Sequence, residues 1–68
     1  MQTIYEINRV LRGKREYIGK TPIKEQAVNA AKSGAKEHIC IYEVTMVSEC
    51  VGTRTVAYHS DGSAEKLW

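Results

Sequence analysis

Between Ile4 and Leu11, aromatic and β-branched residues are interleaved with Glu6, Asn8 and Arg9, and a second such stretch with Tyr17 and Ile18 follows Arg12-Gly13-Lys14-Arg15-Glu16. Interleaving of this kind reads as strands with one wet face. A two-residue loop at Arg12-Gly13 pairs Leu11 with Lys14, Arg9 with Glu16 and Ile7 with Ile18, so that opposite charges and apolar side chains meet across the hairpin.

The period then changes. Thr21-Pro22 predicts a helix start, because threonine offers an oxygen to unbonded backbone N–H groups and proline loses nothing at the first helical position. No breaker interrupts Ile23 to Ser33, and Gly34 predicts the stop. Ile23, Ala27, Ala30 and Ala31 form one stripe with Val28 at its margin, and such small residues let a helix lie close to a sheet.

From Ile39 onward β-forming residues dominate and predict a long antiparallel hairpin. A turn at Val51-Gly52 sets Glu49 against Arg54 and Val47 against Val56; Asp61-Gly62 predicts a further turn before a short strand reaching Leu67 and Trp68. The element order is ββαβββ, an α+β fold with one α-helix packed on a twisted antiparallel sheet.

At 68 residues, 43% hydrophobic and 26% charged, the chain reads as a single domain over 1–68, without linker or repeat and too small for an enclosed active site. The start Met1-Gln2-Thr3-Ile4-Tyr5-Glu6 lacks the pattern of a secretory signal, and no apolar run approaches the ~18 residues of a membrane span. A cytoplasmic location and no membrane partner are expected. Cys40 and Cys50, read as members of one strand, stand roughly 30 Å apart, beyond the ~7 Å limit for a bridge, so free thiols are expected.

Charge changes the picture. The formal net charge is only +2, but residues 1–24 hold six Lys/Arg and two Glu, and Arg9, Arg12, Lys14, Arg15 and Lys20 crowd around Gly13. A local positive patch follows. With Arg9 answered by Glu16, the unpaired cations read as Arg12, Lys14 and Arg15, projecting from the hairpin tip away from the helix.

No competing chemistry stands out. His38, Cys40, Cys50 and His59 match no zinc-ligand spacing, and His38-x-Cys40, read as one strand face, lacks an orienting carboxylate and an oxyanion loop. Glu37, Glu43, Glu49, Asp61 and Glu65 are interspersed as solvent-facing residues would be. Tyr5, Tyr17, Tyr42, Tyr58 and Trp68 read chiefly as core in a chain without phenylalanine. Gly13, Gly19 and Gly34 form no phosphate-cradling loop, and read as turn, strand kink and helix stop. The expectation is a non-enzyme with no cofactor, no metal and no small-molecule substrate.

The segment Val44-Thr45-Met46-Val47-Ser48-Glu49, then Val51-Gly52 and Ala57-Tyr58-His59-Ser60-Asp61-Gly62, together with Gln26-Ala27 in the helix and the ββαβββ order, resembles a family of small phage anti-CRISPR proteins that inhibit the type I-F surveillance complex. The resemblance implies a protein that binds a Cas effector ribonucleoprotein through its Cas7-type backbone subunits and blocks target DNA binding. In the family, cations follow the Gln-Ala pair directly; here Val28 and Asn29 do, and Lys32 and Lys36 are the counterparts. The contact residues expected are Arg9, Arg12, Lys14 and Arg15 on the first hairpin with Lys32 and Lys36 near the helix end. The alternatives are a small basic nucleic-acid-binding module using the same tip, or a regulatory, antitoxin-like protein-binding domain.

Overall fold

The computed structural model describes residues 3–67. β1 (Thr3–Leu11), β2 (Lys14–Thr21), α1 (Lys24–His38), β3 (Ile41–Ser48), β4 (Gly52–Tyr58) and β5 (Ala64–Lys66) follow one another in the expected ββαβββ order. All neighbouring strands are antiparallel, in the order β2-β1-β3-β4-β5. Trp68, expected in the last strand, lies outside the described residues, and β5 ends at Lys66.

The first hairpin turns where the sequence places it, with Leu11 opposite Lys14 and Arg9 opposite Glu16. Arg12 and Gly13 both have positive φ, 53° and 79°, which matches the backbone twist of a tight two-residue hairpin. Farther from the turn the expected register fails. Asn8 faces Tyr17 but Ile7 faces Gly19, so Ile18 is the extra residue of a β-bulge and has no Ile7 partner.

The second hairpin is also shifted from expectation. Ser48 pairs with Gly52, Met46 with Arg54 and Val44 with Val56, leaving Glu49-Cys50-Val51 as a three-residue loop. Gly52 at φ 84° supplies the left-handed residue such a loop requires, and the Cys50 N–H donates to Ser48 Oγ at 3.3 Å. Glu49 and Val47 therefore do not face Arg54 and Val56. Cys40 and Cys50 flank β3 rather than belonging to it, the first buried, the second exposed, with no disulfide between them.

Helix α1 departs from the sequence reading at both ends. Pro22 precedes it, and Ile23 is the N-cap without a side-chain cap. Thr21 Oγ1 accepts the Ile23 N–H at 3.1 Å, the two-residue reach of a capping threonine, but the helix begins only at Lys24, so the bond closes the turn before it. Gly34 does not stop the helix, which continues to His38 and closes on Ile39 at φ 51°. The glycine is there for space: a Cβ at residue 34 would lie 2.5 Å from Tyr42 Cζ, so the Tyr42 ring packs against bare helix backbone.

The core follows from this close approach. Ala27, Ala31 and Ala35 are fully buried against Ile7, Tyr42 and Val44, with Tyr5 and Tyr58 packed around them. Ile23 and Ala30, expected in the apolar stripe, are exposed, and Ala35 takes the inward place. Seated by alanines over β1 and β3, the helix touches β4 less than it touches β1, β2 or β3. The helix-side residues of β4 are left as one wall of a trough.

Candidate functional site

The basic hairpin tip holds less free charge than its sequence suggests. The Arg9 guanidinium donates to the Glu16 carboxylate, and that contact raises its already high pKa. Arg15 was expected to project unpaired. Instead it reaches diagonally across β1 on the sheet face opposite the helix and grips Glu43 as a fork, Nε to Oε1 at 2.9 Å and Nη2 to Oε2 at 3.1 Å. Glu43, expected at a solvent-facing position, is correspondingly buried, 7% exposed. Beside it Thr45 and Thr55 share a hydroxyl hydrogen bond at 3.1 Å. Arg15 is therefore a clamp on the outer sheet face. Of the four tip cations, Arg12 and Lys14 have no carboxylate within ion-pair distance among the described residues. Tyr17, expected in the core, is 56% exposed on the sheet face that carries Arg15.

Lys32 and Lys36 stand four residues apart on one side of α1, near its end. Facing them is the β4–β5 turn, built by His59 N–H to Ser63 O at 2.9 Å and Gly62 N–H to His59 O at 3.1 Å. Asp61 Oδ1 accepts both the Ser63 N–H at 2.9 Å and the Ser63 hydroxyl at 2.6 Å. These donors hold the Asp61 carboxyl below its ordinary value of 3.8. Helix and turn enclose a hollow of about 240 Å³ lined by Lys32, Lys36, Tyr58 and residues 59–63.

A second hollow of about 220 Å³ shares Tyr58 and runs toward the helix start, between Lys24 and Val28 on one side and Val44, Met46, Arg54 and Val56 on the other. The sequence reading missed this continuation. Its signal was the spacing Lys24, Val28, Lys32, Lys36, each four residues from the last.

Register relates the two basic regions. Val10 pairs with Ile41 and Tyr42 with Tyr58, so the β1–β2 tip, the last turn of α1 and the β4–β5 turn all lie at one end of the sheet. The tip does not point away from the helix's basic end. Three strand spacings separate the two turns, roughly 15 Å.

The remaining chemistry-bearing residues are dispersed. His38 is the last residue of α1, not a strand neighbour of Cys40, and stacks on Tyr42 with ring centres 6.2 Å apart. His59 Nε2 lies 3.5 Å from Glu65 Oε1. Among the described residues no three His, Cys, Asp or Glu side chains converge as metal ligands, and no helix is long and apolar enough to cross a membrane. Comparison of the chain with family models, with curated proteins and with solved structures gives no match.

Proposed function

We propose that this protein is a phage-encoded inhibitor that binds a type I Cas effector ribonucleoprotein on its Cas7-type subunits and blocks target DNA binding without catalysis. The observation that carries the reading is the convergence, at one end of the sheet, of exposed Arg12 and Lys14 with Lys32, Lys36 and the Ala57–Gly62 hairpin on which the family resemblance rests. A stable interface needs about 800 Å² from each partner, about a sixth of the 4811 Å² this chain exposes. Cations at its rim would speed association with an acidic surface and fix its orientation.

The test is capture of Cas subunits by the tagged protein from lysates of bacteria carrying type I systems, followed by a gel-shift assay of the captured effector on target DNA. The expected result is co-purification and loss of DNA binding. Replacing Lys32 and Lys36 together by Glu should weaken capture about tenfold or more. Recovery of no Cas subunit from any of several type I systems overturns the proposal.

A further inference from the structure

The helix row Lys24, Val28, Lys32, Lys36 spans three steps of four residues, and at 1.5 Å per residue it extends about 18 Å along one wall of the trough. The opposite wall carries Arg54 near one end and the His59–Ser63 turn near the other, and the floor between them is Val44, Met46, Val56 and Tyr58. None of the three lysines has a carboxylate within ion-pair distance among the described residues. The carboxylate that does line the trough, Asp61, is engaged by the two Ser63 donors.

We propose that this trough binds one strand of nucleic acid, with phosphates along the lysine row and a base laid on Tyr58. The charge is arranged as a line, which suits a linear polyanion better than a compact one. Lysine is a rotatable point donor that follows phosphates whose orientation changes from nucleotide to nucleotide, whereas fixed carboxylates of an acidic peptide are matched by guanidinium forks. An apolar floor with a tyrosine has no use for a duplex, whose bases are stacked inside; it suits unpaired bases, which stack on aromatic rings regardless of sequence. Partial burial raises the pKa of the Tyr58 phenol further above its ordinary value of 10.0. The site length fits ~4 nucleotides, the lower end for single-strand modules. Strand binding goes beyond the inhibitor reading and does not depend on it, since the isolated protein would show it.

The experiment is fluorescence anisotropy of the purified protein with fluorescein-labelled oligo-dT and oligo-U of about 12 nucleotides, with a duplex of equal length and with a polyglutamate peptide. Both single strands should bind saturably and the duplex and peptide weakly. With three phosphates neutralised, affinity should fall about 20-fold between ~50 and ~200 mM salt, a log–log slope near −2. Each of Lys24→Gln, Lys32→Gln and Lys36→Gln, all exposed and safe for folding, should cut that slope by about 0.7. Arg12→Gln with Lys14→Gln should leave it unchanged. No saturable single-strand binding at the lower salt overturns the proposal. So does equal or tighter binding of duplex or polyglutamate, or a slope lost with the tip pair but kept in the lysine variants. Because no Cas component is present, failure here leaves the inhibitor reading to its own capture test.

Discussion

At the β1–β2 tip, Glu16 holds Arg9 and Glu43 holds Arg15, whereas along the helix Lys24, Lys32 and Lys36 face a trough with no carboxylate at ion-pair distance among the described residues. The tip has the denser positive sequence and the helix wall the more available charge. Cations on adjacent antiparallel strands meet the carboxylates that alternate through the same sheet, so pairing comes with the architecture. Cations at four-residue intervals on a helix meet one another, and remain available unless the facing element supplies acid. Here the facing β4–β5 turn supplies Asp61, which its own Ser63 already occupies.

The change that should break this contrast most severely is Gly34→Val. Its new side chain would drive into the buried Tyr42 ring, lifting the helix and its lysines while leaving the Arg12-Gly13 turn alone. Overpacking of this kind costs about 2–3 kcal/mol, to be measured by urea unfolding. A loss under about 0.5 kcal/mol would mean that the helix is not seated by this contact.

A smaller effect is expected from Glu43→Gln, which releases Arg15 and turns the tip into a region with a free guanidinium. The urea midpoint should fall with the m value unchanged. Adding Arg15→Gln to Glu43→Gln should lower it little further, as a double-mutant cycle requires of coupled partners. Fully additive midpoint shifts would show the fork to be incidental.

The mildest test compares the left-handed corners of the two regions, Arg12 at φ 53° and Ile39 at φ 51°. Ile39 is β-branched and 78% exposed, so Ile39→Gly should stabilise by about 1 kcal/mol. Arg12→Asn relieves less strain, since the turn already suits a polar residue, and should give a few tenths of a kcal/mol. A larger gain at Arg12 than at Ile39 would reverse the ranking of strain between the regions.

Local signals were legible in the sequence where local chemistry decides the structure. The Arg12-Gly13 turn and the ββαβββ order depend on neighbours within a few positions. Gly34 was misread because its role is set by Tyr42, a residue that reaches it only once β3 lies under the helix. Arg15 was misread because its partner Glu43 is two strands away, visible only when β1 is known to sit between β2 and β3. The β3–β4 register slipped because Gly52 serves as the left-handed residue after a three-residue loop, not as half of a two-residue turn. Lys32 and Lys36 were legible as a pair; their trough was not, because β4 builds its other wall.

The β-bulge at Ile18 bears on how the protein behaves at high concentration. β2 is an edge strand of eight residues, long enough to template another chain, but the extra residue breaks the even spacing of its outward N–H and C=O groups, and Lys14 and Lys20 add like-charge repulsion between copies. The other edge, β5, is only three residues long. A bulged, lysine-bearing edge on one flank and a very short edge strand on the other are features that discourage pairing with another copy of the sheet.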